Sequence, residues 1–149
     1  MLPFDVTLQP GESPARQVVY AATKAILGGI LAPGDAFPSV RELSQALKIN
    51  PNTAQKVVAE LIREGLLVSQ PGVGTIVTRA PKGAADERRR LLAHDVEQLA
   101  VEARRLGIPL SALHRAIDAR WHALFGDDAD TPSRSAPPRS TTSTVRGRR

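Results

Sequence analysis

Residues 37–77 read FPSVRELSQALKINPNTAQKVVAELIREGLLVSQPGVGTIV. Ser39 followed three residues later by Glu42 is a capping box: the hydroxyl accepts the Glu42 N–H and the carboxylate accepts the Ser39 N–H. A helix starts there, with Val40, Leu43, Ala46 and Leu47 on one apolar face, and it stops near Lys48. Lys48-Ile49-Asn50 is the turn. Asn50 is a good N-cap, and Pro51 is favoured at the first helical position, where a missing N–H costs nothing. Ala54, Val57, Val58, Leu61 and Ile62 mark the buried stripe of the second helix, and Gly65 suits the left-handed residue that ends it. Strand-like residues 66–68 and 75–77 flank Pro71-Gly72-Val73-Gly74, which supplies the hairpin turn. Two short helices joined by about three residues have helix-turn-helix spacing. With the hairpin directly behind them, the order predicts a winged helix-turn-helix.

That geometry makes double-stranded DNA the default partner. In a helix-turn-helix, the N-terminal residues of the second helix reach base edges in the major groove. Here Asn52 and Lys56 lie opposite the apolar stripe, and Thr53 and Gln55 flank it. Asn and Gln can pair bidentately with adenine, Thr can bond a base or touch a thymine methyl, and Lys56 can serve a phosphate or a guanine. Gln70 and the Gly72 backbone are the wing's candidates for phosphate or the minor groove. The plainer alternatives are a solvated helix face and a hairpin that merely closes a small core. The ordered combination is more specific than either piece.

The block Gly34-Asp35-Ala36-Phe37-Pro38-Ser39-Val40-Arg41-Glu42-Leu43 resembles the start of the DNA-binding domain of GntR-type transcriptional regulators. Asn50-Pro51-Asn52-Thr53, Glu60-Leu61, Glu64-Gly65-Leu66 and Gly72-Val73-Gly74-Thr75 continue the likeness in order. The Asn-Pro-Asn-Thr turn and the short C-terminal region look like the YtrA-like branch. The likeness is close over residues 13–79 and loose over 84–125. It implies that Arg41 contacts phosphate or base, that Asn50, Asn52, Thr53 and Gln55 occupy recognition positions, and that Gly72 is the wing glycine. Pro51 and Gln55 stand where some members carry arginine, so guanine-reading rules do not transfer. Phe37 replaces the usual leucine, a change that should touch packing only. The resemblance also implies a bacterial repressor acting as a homodimer, often on transport-related operons near its own gene.

Outward from this centre, residues 1–12 read as an extended lead-in with a Gly-Glu turn. Ser13 caps a support helix with Pro14 at its first position, and Val18, Val19, Ala22, Ile26, Leu27 and Ile30 make its apolar face. Gly28 and Gly29 weaken its end, and Tyr20 reads as a core or interface aromatic. Residues 1–79 thus form the DNA-binding domain and 80–85 a linker. In residues 86–126, a long helix over 86–106 carries Leu92, Val96, Leu99, Ala103 and Leu106 as a heptad seam. After the Gly107-Ile108-Pro109 break, a last helix aligns Leu110, Leu113, Ile117, Trp121 and Leu124. Two helices bury little by themselves, so this mainly α chain is expected to dimerise through a four-helix bundle. Residues 127–149, rich in Ser, Thr, Pro and Arg, read as a disordered basic tail.

Charge needs care. The net +5 over 149 residues resides in the tail, where residues 131–149 hold five arginines and no acid. Residues 1–130 are therefore near neutral, and within 1–79 seven Lys/Arg face six Asp/Glu. Affinity for nucleic acid in the body must come from local asymmetry rather than a bulk field. The tail can add salt-sensitive attraction to DNA or serve only solubility. The absence of Cys excludes disulfides and thiolate sites and suits a reducing cytoplasm. Residues 1–10 lack a secretory pattern, and no apolar run nears the roughly 20 residues of a membrane span.

His114, Asp118 and His122 recur at intervals of four on the last helix, with His94 or Asp95 as further donors. These are plausible metal-ligand types. Three in a row on one straight helix converge poorly, and a solvated face is the simpler reading. No phosphate-binding loop, nucleophile elbow or zinc-protease motif occurs, so neither an enzyme nor a cofactor is expected. The region 86–125 is too small to enclose a typical pocket of about 300 Å³ within one protomer. A small-molecule effector of unknown identity could still bind between protomers. Two rivals to the regulator reading stay open: a metal or metabolite sensor using the C-terminal helices, and a winged-helix protein–protein assembly module.

Overall fold

The computed structural model describes residues 1–81 and 83–126. Helix α1 (Pro14–Leu27) supports α2 (Val40–Leu47) and α3 (Pro51–Arg63), and strands β1 (Leu67–Gln70) and β2 (Gly74–Val77) form the hairpin. The expected winged helix-turn-helix is present. Each helix starts where its cap stands. Ser13 Oγ accepts the Arg16 N–H, the Ser39–Glu42 box closes in both directions, and Asn50 Oδ1 accepts the Asn52 N–H at 2.8 Å. Gly65 follows α3 with φ 75°, so the helix ends in the left-handed conformation that glycine adopts most readily.

The core is the junction of α1, α2, α3 and β1. Val18, Leu43, Val57 and Leu61 are fully buried there, with Ala22 and Ala54 as the small residues that let the helices approach. In the hairpin, Leu67 pairs with Val77, Val68 with Ile76, Ser69 with Thr75 and Gln70 with Gly74. The segment before α2 joins the sheet through an Ala36–Ile76 bridge, and the Phe37 N–H donates to the Thr75 carbonyl at 2.8 Å. This couples the wing to the start of α2.

The N-terminal lead-in takes part in the core. Phe4 is buried and stacks on Phe37 with ring centroids 5.8 Å apart, and Leu2, Val6 and Leu8 pack beside it. Gln17 ties this segment down by bonding both the N–H and the carbonyl of Gln9. Phe37 therefore has a packing partner that a leucine would not stack against.

Several apolar expectations fall on the surface instead. Leu27 and Ile30 are exposed because α1 ends at Leu27, and Ala21 and Ala25 fill the core positions. Tyr20 is 63% exposed, with Lys24 Nζ 4.8 Å from its ring centroid. Ala46 and Ile62 lie at the exposed margins of their stripes.

The C-terminal region departs from one uninterrupted helix. It consists of α4 (Ala85–Arg90), a π-helical turn (Leu91–Asp95) and α5 (Val96–Arg105), in which the Val96 N–H reaches back five residues to the Leu91 carbonyl. A wide turn holds one extra residue, so the residues before it are rotated by about one position relative to those after it. The turn brings Leu91, rather than Leu92, toward the line of Val96 and Leu99; Leu91 is 56% exposed and Leu92 70%. Helix α6 (Leu110–Phe125) follows, and neither α5 nor α6 lies along the other. The end of α6 returns to α1: a Cβ on Gly28 would sit 2.7 Å from the Leu124 carbonyl oxygen. Among the described residues, no helix is long and apolar enough to cross a membrane. The basic tail of residues 127–149 lies outside the described residues.

Candidate nucleic-acid interface

The start of α2, the turn and the start of α3 set out the polar candidates. Arg41 is exposed in the first turn of α2. Its neighbour Glu42 is committed to the capping box, with Oε2 2.7 Å from the Ser39 nitrogen. The Ser39 backbone and hydroxyl bonds hold the Glu42 carboxyl below its ordinary range. The acid next to Arg41 is thus occupied, and the guanidinium is left for an external partner.

The turn is locked by Ser44, whose hydroxyl donates to the Ile49 carbonyl at 2.7 Å and whose carbonyl accepts the Ile49 N–H. Asn50 uses its side-chain carbonyl as the α3 cap, so only its amide N–H groups are free for a ligand. Asn52, Gln55 and Lys56 are exposed, and Thr53 is half-buried. Their apolar counterparts Ala54, Val57 and Leu61 are completely buried, which fixes the rotation of α3 about its axis. On the wing, Gln70 is exposed at the end of β1 opposite Gly74. Gly72 has φ 75° and a Cβ there would touch nothing, so glycine is needed for its conformation rather than for space.

Most cations of the DNA-binding half stand outside ion pairs. Of the seven Lys/Arg in residues 1–79, only Arg63 forms an ion pair, with Glu60, among the described residues. Arg16, Arg41, Lys48 and Lys56 are exposed and have no carboxylate partner among the described residues. Sequence reading treated Lys48 only as the end of α2; its left-handed backbone carries no sequence signal, since such a position ordinarily calls for glycine.

The C-terminal helices show a different surface. The depression along the π-helical turn and α5, lined by His94, Glu97, Gln98, Val101 and Glu102, is about 270 Å³. No group of three His, Cys, Asp or Glu among the described residues is placed to hold a metal ion. His114, Asp118 and His122 are thus not brought together with a further donor.

A capped helix with a polar outer face, a locked turn and a glycine-tipped wing define a winged helix-turn-helix regulatory protein. Residues 14–77 match the family model described as bacterial regulatory proteins, gntR family. The chain is 35% identical over 102 residues to the HTH-type transcriptional repressor YtrA of Bacillus subtilis (strain 168), covering 68% of this chain and 78% of that protein. It belongs to the gntR family and is a DNA-binding transcriptional regulator rather than an enzyme. Among solved structures, YtrA from Sulfolobus acidocaldarius, described as a GntR-family transcription factor, superposes with a TM-score of 0.51 at 26% identity, over 63% of this chain and 96% of that one. A chain described as a transcriptional antiterminator from Listeria monocytogenes EGD-e shares the fold at a TM-score of 0.71 and 21% identity, over 86% and 98% of the two chains.

Proposed function

We propose that this chain is a homodimeric repressor that binds an inverted-repeat operator and acts by occluding promoter DNA. The observation that carries the sequence-reading part is the exposed N-terminal face of α3, where Asn52, Thr53, Gln55 and Lys56 are presented by a helix whose rotation the core dictates. Asn52, Thr53 and Gln55 read base edges, and Lys56 borders them. Arg41, the free amide of Asn50, Gln70 and the Gly72 backbone set the register on phosphate and sugar.

The C-terminal helices support dimerisation. Leu91, Leu99, Leu106, Leu110, Ile117 and Trp121 are all exposed in the single chain. Two helices that do not pack along each other bury too little apolar surface to be stable alone. A second pair covers these faces and sets two recognition helices in related major grooves. The repressor YtrA, similar over most of its own length, supports the sign of regulation.

Selection of duplexes from random sequence by the full chain tests this. An inverted repeat should emerge, and Asn52→Ala should cut discrimination at its base pair by about 1–3 kcal/mol. Recovery of no common sequence would refute specific reading by α3.

A further inference from the structure

Lys48 stands out by its backbone. It has φ 53° and ψ 41°, and every other described residue with positive φ is a glycine. The turn between α2 and α3 needs a left-handed residue, and glycine adopts that conformation without the Cβ–carbonyl conflict an L-residue meets. The bonds that build the turn do not use the Lys48 side chain. Its backbone N–H donates to the Ser44 carbonyl, and Ser44 makes both remaining contacts, to Ile49. The side chain is exposed and lies in no ion pair among the described residues. A lysine thus occupies a strained position whose structural needs a glycine would meet better. Strain of this kind persists where a side chain serves function.

Position shows which function. Lys48 stands two residues before the α3 cap Asn50 and four before Asn52. A duplex seated on Asn52 and Thr53 brings phosphates past the residues that lead into α3. We propose that Lys48 contacts a backbone phosphate beside the entry point of α3 and is a register-setting residue of the DNA interface. This rests on the DNA-binding reading above. The competing reason for a lysine here is the negative end of the α2 dipole. That effect would act on stability alone and leave DNA binding unchanged.

The test is the salt dependence of binding by the full chain, measured for wild type, Lys48→Gly, Lys48→Arg and Asn52→Ala, on a duplex selected by the wild type and on a random duplex. Each lost phosphate contact lowers the slope of log K against log salt by about 0.9. Lys48→Gly removes one contact from each protomer of the proposed dimer, so it should flatten the slope by about two on both duplexes and lose about tenfold less affinity between roughly 50 and 200 mM salt than wild type. Its ratio of selected to random affinity should stay as in wild type, and its thermal midpoint should rise. Lys48→Arg should restore the slope. An unchanged slope in Lys48→Gly overturns the proposal, whatever happens to stability. Asn52→Ala should do the reverse, keeping the slope and losing the ratio. If wild type itself shows no preference for the selected duplex, the specific-regulator reading fails, while the slope on random DNA still decides the role of Lys48.

Discussion

Glu42 shows how one side chain can serve fold and site together. Its carboxylate closes the α2 cap and, by being occupied, leaves Arg41 without an ion pair among the described residues. Ser39→Ala should destabilise the domain by about 1 kcal/mol, read by urea denaturation. The pH dependence follows from the same bond. The folded-state pKa of Glu42 lies below its unfolded value, so its contribution is complete above the unfolded pKa and is lost as pH falls through the folded one. Glu42→Gln can still cap and should flatten part of the decline in stability on acidification; an acid limb identical to wild type would remove Glu42 from that account. Gly65 gives a second residue-scale test. With φ 75° and the Pro81 Cγ only 3.2 Å from a would-be Cβ, Gly65→Ala should lose about 1–2 kcal/mol or more. Gly72→Ala carries the same φ penalty without the contact, and should lose less.

Elements were legible in the sequence in proportion to how local their signals are. The Ser13, Ser39 and Asn50 caps, Pro14 and Pro51, and Gly65 are local; α1, α2 and α3 begin where the caps place them and α3 ends just before Gly65, whereas α1 stops at Leu27, short of Ile30. The polar face of α3 follows from its buried stripe and was equally readable. Long-range packing was not. Nothing near Phe4 announces that it will stack on Phe37, and Gly28 reads as a weak helix end although the Leu124 carbonyl closes over it. The π-helical turn also escaped, because Leu91 and Leu92 are adjacent and either can continue an apolar seam. The extra residue decides between them. Leu91→Ala should therefore weaken the proposed dimer more than Leu92→Ala, measured by sedimentation equilibrium. Equal effects, or a larger one at Leu92, would mean that the seam runs through an uninterrupted helix.

At the scale of the whole molecule, the two halves present opposite surfaces. Residues 1–79 bury most of their apolar side chains in one core and, among the described residues, show cations outside ion pairs around the start of α3. The C-terminal helices expose theirs, and their ion pair Glu102–Arg105, like Arg89–Asp86, lies at the surface, where such pairs add little stability. These surfaces support the proposal that one half meets DNA and the other a second copy of the chain. The most direct measurement is hydroxyl-radical footprinting of the full chain on a selected duplex, with the number of bound chains determined on the same complex. Two chains per duplex, protecting two patches related by two-fold symmetry and about one helical turn or a multiple apart, is the expected result. One chain protecting a single patch, or protection without symmetry, would contradict the dimeric winged-helix account.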